Sequence, residues 1–482
     1  MSVSLLNFEE RGYPAILGNV FEDLGLNLLV TPATLKIFSC PCAPRDILAR
    51  QEIFRAVEED GRKQCFDLLY SRLFSLVNTV YAYNNAKTQC EKLFMCKQTI
   101  REYADLVRFI SEINIKTALT EKLAEYAKNL CAEKLGDLEE IFSELSELLK
   151  TISALDVLFN VNVKKVESAC RDTFSDNDAL LDSAEKLGLK ISKKPNFEKI
   201  RLSPYFSDLI AKAYPKEFTK ALELEKRAFS LIDLSILSLK NDLDFYFDIN
   251  NLVKKAAEKG VKSCYADISN KPEYYVKNAY DAALISQDIK KIVPNDIDFD
   301  SVDSVFLLTG ANGGGKTSYL RACAINLVMF LAGAPVFGER ALIYPFKKIF
   351  THFPSKEGYY DSGRFEEEKK RIESALTSAD TDFFAFMNET FSGTDEFTGG
   401  KMLYETAKRL KVSGSFALFV THFVNYSYDG LPILNAVVDE EDNTRTFRIR
   451  RSEISQSAHA ADILKKYGLD RLSLEVREPL NK

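Results

Sequence analysis

The apolar run Val305-Phe306-Leu307-Leu308 leads directly into TGANGGGKTS and then into Tyr319-Leu320-Arg321-Ala322-Cys323-Ala324. Gly310, four residues, then Gly315, Lys316 and Thr317 have the spacing of a complete phosphate-binding loop. Such a segment has to fold as strand, tight turn and helix. The loop works by aiming successive backbone N–H groups and a helix N-terminus at a triphosphate. Glycines let the backbone close around phosphates, Lys316 can reach the outer ones, and the Thr317 hydroxyl suits Mg²⁺. Asn312, Gly313, Gly314, Gly315, Lys316, Thr317 and Ser318 are the expected nucleotide-binding residues.

A chain of 482 residues accommodates several domains, each with its own core. Its net charge of −6 excludes a global basic field, so any contact with nucleic acid has to come from local patches. Nine cysteines, an odd number without framework spacing, point to reduced thiols and a cytoplasmic setting. The close pair Cys40-Pro41-Cys42 has none of the three histidines nearby, which argues against a metal site there. The first residues carry acids rather than a basic start and an apolar core, so no secretory signal is expected. No apolar stretch reaches the roughly 18 residues that a membrane span needs.

The two halves differ in texture. From residue 117 to 158, Leu119, Leu123, Leu130, Leu138, Ile141, Leu145, Leu148, Ile152 and Leu155 recur at the spacing of one helix face. After Pro215, the stripe Phe218, Leu222, Phe229, Ile232, Ile236, Leu239 and Leu243 predicts a helix of about 40 residues, roughly 60 Å long. Two readings of such length stand: arms that carry motion between distant sites, or an ordinary helical bundle. Residues 186–201, KLGLKISKKPNFEKIR, are either a phosphate-touching tip or a solvated loop. Beyond Pro294, short apolar runs at 305–308, 343–353, 383–387, 416–420 and 436–438 alternate with helical patterns. That alternation predicts an α/β domain with a largely parallel sheet. Residues 440–443 followed by Thr446-Phe447-Arg448-Ile449 read as a hairpin near its end.

Hydrolysis requires a second Mg²⁺-facing group, a residue to activate water and a γ-phosphate sensor. The strand Phe383-Phe384-Ala385-Phe386-Met387 ends in Asn388-Glu389, about 70 residues after Lys316. An Asp-Glu ending is the expected pattern. Asn388 keeps an oxygen acceptor without the full charge and should hold Mg²⁺ more weakly, while Glu389 remains the candidate base. Thr421-His422 ends the next strand, where His422 either reaches a γ-phosphate or is simply structural. His352 ends another strand without a motif of its own.

Together these segments resemble the ATPase domain of the MutS family of DNA mismatch-repair proteins, within the ABC class. Val293-Pro294-Asn295-Asp296 resembles the family's VPND, and Thr309-Gly310-Ala311-Asn312 with Gly314-Gly315-Lys316-Thr317 its TGPNMGGKS loop. Glu389 with Ser392-Gly393-Thr394-Asp395, then Thr421-His422-Phe423, Val437-Val438-Asp439-Glu440-Glu441 and Tyr467-Gly468-Leu469 follow in the family's order. Arg50-Gln51-Glu52 resembles the start of its core domain. In that family two ATPase domains face each other, and a signature segment completes the partner's site. Its counterpart here is Ser362-Gly363-Arg364-Phe365-Glu366-Glu367-Glu368. The family's Ser-Thr before the Phe is replaced by Gly363-Arg364, which leaves the role of Ser362 open.

The resemblance implies an α-helical core and lever-arm domain over residues 1–285, followed by an α/β P-loop (ABC-type) ATPase domain over 286–482. It implies ATP and Mg²⁺ as ligands, a homodimer formed through the ATPase domains, and DNA as partner with no membrane role. Thr317 and Asn388 would hold the metal, Glu389 would activate water, and His422 would sense the γ-phosphate. Phe8-Glu9-Glu10 fits the letters of the family's mismatch-reading wedge, yet helical core follows too soon for a reader domain; neither it nor an appended nuclease domain is expected. An ATP-driven switch on a non-DNA partner such as the ribosome, and a poorly hydrolysing nucleotide-binding scaffold, are the alternatives.

Overall fold

The computed structural model describes Leu6 and residues 19–39, 42–113, 118–153, 156–162, 165–171, 214–287, 289, 291–353, 362–423, 426–439 and 444–451. The segments at 8–10, 186–201 and 467–469 lie outside this set. Helices in chain order are α1 (Val20–Asp23), α2 (Pro32–Phe38), α3 (Pro44–Glu58), α4 (Asp60–Asn84), α5 (Gln89–Glu112) and α6 (Ala118–Ser153). They continue as α7 (Pro215–Leu231), α8 (Ser238–Glu258), α9 (Lys316–Leu331), α10 (Ser362–Leu376) and α11 (Glu396–Val412). The strands are β1 (Asp156–Asn162), β2 (Lys165–Arg171), β3 (Asp267–Ile268), β4 (Tyr274–Ala279), β5 (Asn295–Phe299) and β6 (Val305–Gly310). They continue as β7 (Arg340–Ile343), β8 (Lys348–His352), β9 (Phe383–Asn388), β10 (Phe416–Val420), β11 (Ile433–Val438) and β12 (Arg445–Arg451). None of the described helices is long and apolar enough to cross a membrane.

Two compact units divide the chain: Glu59–Leu243, and Leu5–Glu58 together with Asp244–Lys482. In the first, α4, α5, α6 and α7 pack as helices. Thr88 caps α5 by accepting from Glu91 N, while the Glu91 carboxylate accepts from Lys87 N. Leu138, Ile141, Leu145 and Leu149 form the buried stripe of α6, with Leu148 only half-buried. The helix stops at Ser153 rather than reaching 158. Val157, Val161 and Val166 fall instead in the antiparallel pair β1–β2, in keeping with the preference of β-branched residues for extended backbone. The single long helix expected after Pro215 is broken. At Ile232 the backbone turns extended (ψ 123°), and the Asp233 carboxylate accepts from Ser235 N to start a short 3-10 turn before α8. The Asp233 N–H donates to the Tyr103 hydroxyl.

In the second unit a six-stranded sheet runs β12-β11-β6-β10-β9-β8, parallel except for the edge strand β12. The β11–β12 pair is the hairpin read from the sequence. A four-stranded sheet, β3-β7-β4-β5, joins it through an aromatic layer in which Tyr274, Phe299 and Phe346 meet Phe306, Phe384 and Phe416 edge-on or tilted. The apolar run at 343–353 is therefore two strands in two sheets, separated at Tyr344-Pro345, where proline cannot continue a ladder. Ile372, Ala375 and Leu376 of α10 and Leu403, Ala407 and Leu410 of α11 share a core with residues of β6, β9 and β10.

The boundary near residue 286 does not match the packing, because residues 5–58 and 244–285 belong to the α/β unit. Buried Arg50 on α3 donates to Leu6 O (2.9 Å) and to Ala332 O (2.9 Å), the carbonyl capping α9, where a cation also favours the helix dipole. Gln51 donates to Ala266 O at 3.0 Å, and Phe54 packs against Phe245 and Tyr246. Arg50→Ala leaves two buried carbonyls without this donor and should lower the unfolding free energy by about 2–4 kcal/mol, read by urea denaturation.

Candidate nucleotide site

Strand β6 is buried along Val305 to Thr309 and gives way at Gly310 to the loop that ends in α9. Gly310 (φ 115°) and Gly315 (φ 95°) occupy backbone conformations that side chains disfavour. A Cβ on Gly310 would clash with Asn435 Oδ1 and come within 2.9 Å of the backbone of Ala436, so β11 lies hard against the start of the loop. Lys316 is buried, and its Nζ donates to Gly310 O (2.8 Å), Ala311 O (3.2 Å) and Asn312 Oδ1 (3.2 Å). Burial holds this ammonium below its ordinary pKa; the charge of Glu389 raises it and that of Arg445 lowers it further.

Register brings the second group of residues to the loop. Val420 of β10 pairs with Leu308 on one side and Asn388 on the other. Asn388, at the end of β9, accepts from Thr317 Oγ1 at 3.2 Å. Glu389 follows at φ 48°, its N–H held by Val420 O at 2.9 Å. The Thr421 N–H donates to Leu308 O, and its hydroxyl accepts from Phe423 N. His422 is exposed with its ring against Phe423, and it does not line the cleft beside the loop. Ser362 is the first residue of α10, and its side chain lies outside the described set.

A cleft of about 490 Å³ is lined by Asn312, Gly313, Gly315, Lys316, Thr317, Ser318 and Glu389 on the loop side. Leu284, Ile289, Ile292 and Val293 add an aliphatic wall to the lining, with the charged Asp281 and Lys291 among them. Among the lining residues that the sequence pattern does not mark as site residues, Asn295 and Phe447 share the cleft with the loop. Asn295 donates to Phe447 O (2.9 Å) and accepts from Ile449 N (2.8 Å), clamping the β12 backbone on both sides of Arg448. Phe447, at φ 57°, is thereby held over Gly315, whose Cβ would come within 3.4 Å of its ring. Asn295 lay within the VPND match, whereas Phe447 had no local pattern to mark it.

The residues present suit a nucleotide. Glycines at positive φ leave room for close approach, the first turn of α9 and the Lys316 ammonium favour anions, and the aliphatic wall suits an apolar ring. Thr317 Oγ1 and Asn388 Oδ1, held side by side, are oxygen donors of the type a hard divalent cation takes. No group of three or more His, Cys, Asp or Glu that could hold a metal exists among the described residues.

A parallel sheet whose central strand turns through a glycine loop into a buried helix, with its cleft at the carboxyl ends of the strands, defines a mixed α/β domain of the doubly wound kind. Residues 306–460 match the family model MutS domain V. The chain is also similar to the DNA mismatch repair protein MutS of Thermosipho melanesiensis, 27% identical over 252 residues. That match covers 48% of this chain and 30% of the length of the relative. Over residues 306–460 the chain is thus similar to the MutS family. Gly310→Ala, which places a Cβ against β11, should weaken nucleotide binding at least about tenfold, equivalent to roughly 1.4 kcal/mol, in a calorimetric titration.

Proposed function

We propose that this chain is a MutS-like ATPase that couples closure of paired ATPase domains to binding of a DNA structure, in DNA repair or recombination. The glycine loop and Glu389 lining one cleft, with Asn388 bonded to Thr317 of that loop, in a region similar to MutS domain V, carry this reading. Similarity to the Thermosipho DNA mismatch repair protein MutS supports DNA as the partner.

In this reading ATP binds in the cleft. Loop N–H groups from Asn312 to Ser318 and the Lys316 ammonium hold its phosphates, and the aliphatic wall takes the base. Mg²⁺, when bound, neutralises phosphate charge; Thr317 and Asn388 would hold it, more weakly than an Asp in place of Asn388 would. Glu389 lines the cleft close enough to act on the charge of Lys316, and it would orient the attacking water and accept its proton. His422 would sense the γ-phosphate by turning in from the end of β10. The protein acts in the cytoplasm as a homodimer, and the helical unit at residues 59–243 supplies the arms that grip DNA.

Three measurements test this. Lys316→Ala should abolish tight ATP binding; retained affinity removes the site assignment. Asn388→Asp should raise turnover severalfold if the missing carboxylate limits hydrolysis. Turnover should be stimulated by one among linear, mismatched, branched and single-stranded DNA, with DNA affinity falling steeply as salt is added. Slow turnover indifferent to every DNA shape would favour an ATP switch acting on another assembly.

A further inference from the structure

The turn that carries Glu389 holds two non-glycine residues in the left-handed region, Glu389 (φ 48°) and Phe391 (φ 62°). Each such residue costs on the order of 1–2 kcal/mol, so the turn persists only where its surroundings over-determine it. One restraint is the bond from Glu389 N to Val420 O in the sheet. The other comes from a helix: Phe391 N donates to Glu368 Oε1 of α10 at 3.0 Å.

That same oxygen lies 2.8 Å from His352 Nε2, at the end of β8. His352 is only 5% exposed and Glu368 is partly buried, so the shared bond is largely shielded from solvent, where an unmet polar group is costly. One helical turn earlier on α10, Phe365 packs its ring edge-on to Phe391 (6.4 Å between centroids) and sits beside Gly393. One turn later, Arg371 donates to Thr351 O at 3.1 Å, next to His352 on β8. The helix is thus pinned to β8 and holds the turn at two points. What the carboxylate adds is an acceptor for the amide two residues beyond Glu389.

We propose that Glu368 is a positioning residue for hydrolysis, holding the 389–391 turn so that the Glu389 carboxylate faces the cleft, with His352 fixing the oxygen that does so. This rests on the assignment of Glu389 as the base. Nucleotide binding uses the glycine loop and does not depend on Glu368. The position of α10 therefore governs turnover separately from affinity.

The test uses the full chain with Glu368→Ala, Glu368→Gln and, as control, Glu389→Gln. Measured are ATP kcat, the affinity for a fluorescent ATP analogue, and hydrogen–deuterium exchange of the peptide spanning 389–393 without nucleotide. Glu368→Ala should lower kcat by about 10²-fold, the scale of a roughly 1 Å misplacement, with affinity changed less than about twofold and faster exchange at the Phe391 amide. Glu368→Gln keeps an oxygen acceptor and should restore both exchange protection and most of kcat. Unchanged kcat in Glu368→Ala, while Glu389→Gln is inactive, overturns the proposal and leaves the ATPase reading intact. Parallel loss of affinity and kcat, or no rescue by Gln, also overturns it by reducing Glu368 to a structural role. Undiminished turnover in Glu389→Gln removes the base assignment and the proposal with it.

Discussion

Parallel pairing of β10 with β6 on one side and β9 on the other is the constraint from which the site follows. In that register Val420 stands between Leu308 and Asn388, so the glycine loop, the Asn388-Glu389 turn and Thr421 all leave the sheet at the same end. A slip of one residue would reverse the faces of a strand and carry Asn388 away from Thr317. The pairing tolerates no such slip because the strands are buried on both sides. The aromatic layer from the smaller sheet covers part of the sheet, the core shared with α10 and α11 covers more, and β6, β9 and β10 are apolar almost throughout.

Several charged and amide groups brought into this interior are held by hydrogen-bond partners, which gives the site rigidity. The buried Lys316 ammonium is surrounded by three loop oxygens, so an anion drawn to it competes with partners already in place. Arg321 and buried Asp281 form an ion pair at the cleft, and the Asn295 amide pins the hairpin that presents Phe447. Among the described residues, four non-glycines hold positive φ: Glu389 and Phe447 line the cleft, Phe391 lies two residues beyond Glu389, and Asn278 adjoins Ala279 of the lining and donates its N–H to Asp296 Oδ1. Such a distribution fits a site whose backbone is held in place before any ligand arrives.

Where the sequence reading failed, the deciding contact came from elsewhere in the chain or from a single breaker residue. An apolar stripe continues across Ile232 as if the helix did, yet the Asp233 carboxylate competes for a backbone N–H and starts a new turn. The run at 343–353 has the composition of one strand, but Pro345 divides it between two sheets. Arg50-Gln51 was read as part of a helical half. Its side chains instead bond Ala332 and Ala266, contacts more than two hundred residues away that no local pattern encodes. Glu368 and His352 were both visible as letters, but nothing in their spacing shows that they share one oxygen with the Phe391 amide.

The amino-acid order alone determined the strand–loop–helix at 305–331, the alternation that makes an α/β sheet, the closing hairpin, and the polar residues at strand ends. These depend on periodicity, glycine geometry and fixed spacing, all of which are local. The tertiary structure alone decided which strand ends meet, which segments join the α/β unit, that His422 stays exposed while Phe447 and Asn295 line the cleft, and which helix holds the Glu389 turn. Those outcomes depend on register and on side chains far apart in the chain, whose energies exist only once the sheet has closed around its core.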